Sequence, residues 1–388
     1  MLGTFPLRDH VIVSPRFTRS VALVRDFDRP DALEGYILTP TGRGVLSRLA
    51  DALRGETSTR AWSLTGPYGS GKSAFALLVS QLLGGPDRIG KSARAFLQRE
   101  DAVLAERLFG AGSPLAKRGS RLCPVLVSGS REPLEKALAG RLALALRQMR
   151  RGRPPRVVEQ LEDIALQRSF YGPNSGVVGL FEESLAYLDR FAHEGAGLLL
   201  IVDELGKFLE YGAAHPDRGD VFVLQGLAEA AARAERPFLV LTILHQSLDR
   251  YTEHVSPTRR AEWAKVQGRF EDVAFEERTE QVIHLLGRAI HHSGPEGIRT
   301  SLQARGRELA AEACDLGVRV GSLSEEELQA SLAAAFPLHP LVAVVVGPLF
   351  RQLAQNERSL FAFLTAHEPF GFQEFLRRQG AEEPGCAS

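Results

Sequence analysis

The chain has 388 residues, 44% of them hydrophobic and 24% charged, a composition ordinary for a globular protein with room for two or three domains. Lysine plus arginine and aspartate plus glutamate both number 47, so no global basic field marks a nucleic-acid binder, and any such surface must be local. Three widely spaced cysteines, Cys123, Cys314 and Cys386, argue against a disulfide framework and against a zinc site. No apolar run approaches the length of a bilayer span, and the opening MLGTFPLRDH lacks the apolar stretch of a signal peptide. The expectation is a cytoplasmic protein with no membrane partner.

Residues 1–40 read as an irregular lead-in and linker, broken by Pro6, Pro15, Pro30 and Pro40, with two short β-like patches at 10–13 and 21–24. A helix follows over 42–53, where Val45, Leu46, Leu49 and Leu53 recur at helical spacing. Residues 62–65 form a short strand, 66–71 a glycine-rich loop, and 72–83 a helix stopped by Gly84-Gly85-Pro86. A second buried strand falls at 124–128 and a helix at 133–149, before a basic turn at 150–156 and further helices interrupted near 171–175. The third strand, 198–202, leads into a helix from about Gly206; a helix over 223–234 precedes a fourth strand at 238–244. A weak fifth strand at 272–275 closes the series. From Glu277 the pattern is helical throughout, up to a tail at 376–388 that reads as unstructured. Strands alternating with helices predict an α/β fold: a three-layer parallel sheet with a P-loop NTPase core over 41–276, followed by an all-helical domain over 277–375.

Two segments carry chemistry. Gly66-Pro67-Tyr68-Gly69-Ser70-Gly71-Lys72-Ser73 matches G-x-x-x-x-G-K-[ST], with a strand before it and a helix, beginning Lys72-Ser73-Ala74, after it. Glycines let the backbone curl until successive N–H groups point at phosphate oxygens, and the helix N-terminus adds its dipole. Lys72 can reach the β- and γ-phosphates, and the Ser73 hydroxyl can ligate Mg²⁺. The apolar strand at 198–202 ends in Asp203-Glu204, at the edge of a parallel sheet where ligands bind. Asp203 is expected to hold Mg²⁺ and Glu204 to polarise an attacking water as general base. Such carboxylates also cap following helices; the glycine-rich loop upstream is what favours the catalytic reading. ATP and Mg²⁺ are the expected ligands and ATP hydrolysis the expected activity.

The order of these parts resembles the AAA+ superfamily, in particular its origin-recognition and STAND-like branch, over about residues 36–364. The resemblance implies a polar first sensor at the end of the fourth strand, where Thr242, His245 and Gln246 compete. It implies an arginine finger before the fifth strand, which Arg269 fits, with Arg259 and Arg260 as weaker candidates and an ion pair to Glu271 or Asp272 as the ordinary alternative. It makes the C-terminal helices a lid, with Arg358 as its second sensor, and it places Tyr36 in a linker packed over adenine. A homo-oligomer or a partner protein is implied as well. The segments GPYGSGKSAFAL, IVDELGKFLEY, HPLVAVVVGPLFRQLAQNERSLFAFL and EPFGFQEF resemble the ATPase modules of bacterial phage-defence systems of the BREX type. That implies antiviral work on a DNA-binding or other nucleic-acid-associated complex.

Other signals are weaker. The turn Arg150-Arg151-Gly152-Arg153-Pro154-Pro155-Arg156 is either a contact for nucleic-acid phosphates or a solvated loop. His291-His292 lacks metal-ligand spacing and reads as a solvated helix end. Two functions follow: a motor that hydrolyses ATP to drive domain motion and assembly, or a nucleotide-gated switch with little turnover. Glu204 favours the first, because hydrolysis needs a base.

Overall fold

The apolar runs of the sequence assemble into one parallel sheet and a separate two-stranded ribbon. The computed structural model describes residues 6–14, 21–117, 119–149, 156–166, 176–191, 195–215, 221–246, 251, 263–353, 360–367, 369, 371–379 and 387. Seven strands occur in these: β1 (Val11–Val13), β2 (Ala61–Thr65), β3 (Arg121–Ser128), β4 (Gly195–Asp203), β5 (Phe238–Leu244), β6 (Glu271–Ala274) and β7 (Ile290–His292). The sheet has the order β3-β4-β5-β2-β6 with every pairing parallel, while β1 and β7 pair antiparallel.

The central strands are buried on both faces, so their side chains alternate between two cores. On one face Val125 and Val127 of β3, Leu198, Leu200 and Val202 of β4, and Val240 and Leu244 of β5 meet the helices Leu134–Met149, Arg156–Ala165 and Phe222–Arg233. On the other, Leu199 and Ile201 of β4, Leu239 and Leu241 of β5, and Trp62 and Leu64 of β2 meet the helices Pro40–Leu53, Lys72–Gly84 and Ala102–Phe109. All nine residues of β4 are buried. This is the three-layer α/β architecture of a P-loop NTPase core. The strand order separates β2 from β4 by one strand, so the end of β5 lies between the glycine-rich loop and the Asp203-Glu204 pair.

A third core joins the C-terminal helices, including Ile283, Leu286, Leu302, Leu332 and Phe336, and the N-terminal residues Leu7 and Val11 pack within it. Leu7 donates its N–H to Gln379 O (2.7 Å), and β1 pairs Val11 with His292 and Val13 with Ile290. Residues 291–292 therefore form a strand rather than a helix end. The ribbon interrupts an otherwise helical region because β1 supplies the partner that a three-residue strand needs.

Two other expectations change. The patch at 21–24 enters the short helix Leu23–Asp26, because Asp26 Oδ2 accepts from the N–H of Ala22 (2.9 Å) and so ties off the turn that its valines would have extended. The expected tail begins inside the helix Phe372–Arg378, and Ala387 is buried, giving its N–H to Pro337 O (2.8 Å) and accepting from His339 N (3.1 Å). Among the described residues no helix is long and apolar enough to cross a membrane. The basic residues 150–155 and the interruption at 171–175 lie outside the described residues.

Candidate nucleotide site

Where β2 ends, the loop 66–71 passes the chain into the helix Lys72–Gly84. The turn needs Gly71 at φ 87°, where it serves as the helix N-cap and where a side chain would be strained. The first N–H groups of that helix, with the dipole behind them, favour an anion at this end. Lys72 is only 4% exposed. Its Nζ donates to the carbonyl oxygens of Gly66 (2.5 Å) and Pro67 (2.7 Å) and to Ser70 Oγ (3.0 Å). Burial pushes its pKa down to about 8, opposed by the charges of Asp203 and Glu276. A buried ammonium whose hydrogen-bond partners among the described residues are neutral oxygens is short of negative charge, and a phosphate would supply it.

The other half of the site comes from β4. Asp203 is 5% exposed, and its Oδ1 accepts from Ser73 Oγ (3.2 Å) and from the N–H of Glu204 (2.9 Å). Ser73 and Asp203 meet across 130 positions of sequence. Burial raises the pKa of Asp203; the Ser73 bond opposes the rise and the charge of Glu204 adds to it. A hard cation would relieve that cost. A hydroxyl and a carboxylate are oxygen donors that Mg²⁺ accepts, the rest of its octahedron being filled by waters and phosphate oxygens. Among the described residues no group of three or more His, Cys, Asp and Glu could hold a metal ion. The donor set therefore fits Mg²⁺ in company with a phosphate-bearing ligand.

Glu204 has φ 54°, in the left-handed region that non-glycine residues avoid, at a cost of about 1–3 kcal/mol. Gly129, just past β3, makes room for it: a Cβ there would lie 2.3 Å from Glu204 O and 2.8 Å from Glu204 Cβ. Gly129 also donates its N–H to Asp203 O (2.8 Å). The Glu204 carboxylate accepts from Lys207 Nζ at 2.6 Å.

Between the two halves lie the residues at the end of β5. Thr242 is buried and its Oγ1 donates to Trp62 O (3.3 Å), within the sheet. The Tyr251 hydroxyl lies beside Gln246 and His245, and burial raises its pKa. The His245 ring stacks on Tyr68 of the loop, centroids 3.5 Å apart and planes 17° from parallel.

The remaining expected residues sit elsewhere. Arg269 pairs through Nε with Glu229 Oε1 (3.1 Å) on the helix Phe222–Arg233. Its nearer neighbours in sequence have other partners: Glu271 takes Arg48 (2.8 Å) and Trp62 Nε1 (2.9 Å), and Asp272 takes Thr65 Oγ1 (2.7 Å). Tyr36 packs edge-on against Phe96, centroids 6.0 Å apart, and burial raises the pKa of its hydroxyl. Ala74 follows Ser73 in the first turn of the helix Lys72–Gly84. Arg358, Arg259 and Arg260 lie outside the described residues. Sequence reasoning missed Gly129, Lys207 and Tyr251. Lys207 had a signal, since it lies in the first turn of the helix that follows Glu204, three residues along the chain from it. Gly129 had none, because its contact with Glu204 exists only once β3 and β4 pair.

No protein-family model matches the chain, and no curated protein does. Among solved structures, the ORC2 protein of Aeropyrum pernix, described as ADPNP–ADP complexes, is similar with a TM-score of 0.35 and 14% sequence identity, over 89% of this chain and 87% of that one. Similarity at that level leaves the reading of the site to rest on its own geometry.

Proposed function

We propose that this chain is an ATPase of AAA+ type, which binds ATP·Mg²⁺ at the 66–73 loop and hydrolyses it. The observation that carries the proposal is the meeting of Ser73 with Asp203 at 3.2 Å, beside a buried Lys72 and with Glu204 next in sequence. Lys72 would exchange its loop carbonyls for β- and γ-phosphate oxygens, while Ser73 and Asp203 hold Mg²⁺. The metal, when bound, offsets phosphate charge. Glu204 would accept the proton of the attacking water. The strained backbone at Glu204 supports that role, because such strain persists where a side chain must be aimed.

The finer reading is a motor. Hydrolysis would shift the C-terminal helical lid, with Arg358 as its phosphate contact, against the sheet, and Arg269 would complete a neighbouring subunit's site. The work would be loading or remodelling a nucleic-acid-associated complex, of which phage defence is the setting suggested by the resemblance of the quoted segments. A nucleotide-gated switch is the second reading, favoured by the ion pair that occupies Glu204.

The test is phosphate release from ATP by wild type and by Glu204→Gln, each with and without double-stranded DNA, alongside mass measurement in ATP. Turnover that vanishes in the variant, with ATP-dependent assembly, supports the motor. Tight ATP binding without turnover under any condition would leave the switch, and no binding at all would sink both.

A further inference from the structure

The C-terminal helices carry a groove that the nucleotide chemistry does not use. It runs between the helices Thr279–Ala289 and Glu325–Ala334 and has a volume of about 560 Å³. Gly287 sets the close approach of the two helices: a Cβ there would lie 2.8 Å from the Cβ of Ala334. With Ala330 one turn earlier, the floor is built of side chains too short to fill the space. The rim is charged, and its signs are segregated. Glu280 and Glu327 stand at one end, Arg288 at the other, and His284 between them. Gly321, just before the second helix, has no side chain to displace the Glu280 carboxyl. Among the described residues Glu280, His284 and Arg288 have no hydrogen-bond or ion-pair partner, although nearby Arg319 has taken Glu325 (3.0 Å).

We infer that this groove is an interface between two copies of the chain, each seating its Thr279–Ala289 helix in the other's groove, antiparallel about a two-fold axis at His284. The pattern of charge is what selects a second copy. Glu280 and Arg288 stand four residues either side of His284, so reversing the helix about that point exchanges acid for base. The eight positions from Glu280 to Arg288 span about 12 Å of helix. Both pairs therefore form together, Glu280 of each copy meeting Arg288 of the other. A two-fold contact uses one patch twice and must be self-complementary, whereas a patch of one sign would repel its copy. Glu327, which caps its own helix through Ser324, places a second carboxylate where the arginine arrives. The short side chains of the floor let the helices interlock as ridge into groove. Complementary charge gives such a contact its register more than its strength. No residue of the nucleotide site takes part, and the contact needs no nucleotide.

The experiment is sedimentation equilibrium of the full chain without nucleotide, over a range of concentrations, in wild type, Glu280→Arg, Arg288→Glu and the double variant. Wild type should dimerise. Each single reversal sets like charges at both ends of the contact and should weaken dimerisation about 10- to 100-fold. The double variant restores both pairs with their signs exchanged and should associate more tightly than either single variant. It should fall short of wild type only through Glu327, whose sign is unchanged. Because it carries both changes, its dimers also show that neither change unfolds the chain. A second measurement fixes the symmetry. In a Cys386→Ser background, the other two cysteines being buried, a short bismaleimide crosslinker should join His284→Cys to its own copy. Only a two-fold axis brings a residue beside itself in this way. A monomer at every concentration, or assembly indifferent to the single reversals, would overturn the inference. So would a double variant no better than the single ones, or dimers that His284→Cys does not crosslink. None of these results bears on ATP binding, and failure to bind ATP would leave the dimer untouched.

Discussion

Glu204 combines a strained backbone with an occupied carboxylate, and the two features make separable predictions. The strain at φ 54° is tolerated because Gly129 has no Cβ to collide with it. Gly129→Ala should therefore displace Glu204 without touching Lys72 or Ser73. We expect turnover to fall about 10- to 100-fold, the scale on which misplacing a catalytic group by an ångström acts, while ATP affinity stays within about twofold. Steady-state phosphate release beside a binding titration checks this, and a parallel loss of affinity would mean that Gly129 supports the loop instead. The carboxylate is held by Lys207 at 2.6 Å, but the lysine side chain is 45% exposed. Such a pair is worth about 0–1 kcal/mol after solvent screening. Lys207→Gln should free the base and raise turnover, by no more than about fivefold. A fall in turnover would show instead that Lys207 aims Glu204 rather than restraining it.

Among the elements, the ribbon of β1 and β7 makes the N-terminal segment part of the C-terminal core. Leu7 is fully buried there, and truncating such a leucine costs about 2–5 kcal/mol. Leu7→Ala should lower the thermal transition of the helical region while leaving nucleotide affinity intact. His292 tests the same junction by pH. Its Nε2 lies 2.8 Å from Phe336 O and burial lowers its pKa, despite that bond. The folded state thus takes up the proton at lower pH than the unfolded state, whose histidine titrates near its ordinary value of about 6.5. The stability tied to His292 is present above that value and is lost as the pH falls below it. Melting followed from pH 7.5 to 5.5 should fall more steeply in wild type than in His292→Gln; equal slopes would assign the acid sensitivity to other groups. The patch at 10–13 marked one strand of this junction, but its partner was not legible in the sequence, because β7 is three residues long, lies in a stretch of helical pattern and pairs with β1 from far along the chain. What was legible were the features that recur locally: the continuous apolar run of β4, the seven-residue β5 between turn signals, and the loop with lysine and serine at fixed offsets. The carboxylate pair could be placed from sequence because it ends a strand. Its surroundings could not, since Gly129 reaches it from β3 through strand order alone.

At the scale of the whole molecule, the open question is whether one chain completes its own site. Arg269 is 53% exposed and its recorded partner is Glu229, an ion pair of the kind that solvent weakens. A guanidinium so placed can be withdrawn at little cost, and its charge and fork suit a phosphate on another subunit. If it serves a neighbour, each site depends on two chains, and defects in different parts of the site become complementary. Arg269→Ala keeps its own Glu204 but cannot serve the next subunit; Glu204→Gln cannot hydrolyse but still offers its arginine. Either variant alone should be inactive while binding ATP normally. In an equal mixture within a closed head-to-tail ring, a site works when an Arg269→Ala subunit is followed by a Glu204→Gln one, which random assembly produces about one time in four. Recovery of about a quarter of wild-type phosphate release on mixing is therefore the expected result, and it should require conditions in which the mass measurement shows assembly. Absence of recovery in assembled mixtures would return Arg269 to its pair with Glu229 as a surface contact, and would mean that the arginine for the site, if it has one, comes from elsewhere in the chain.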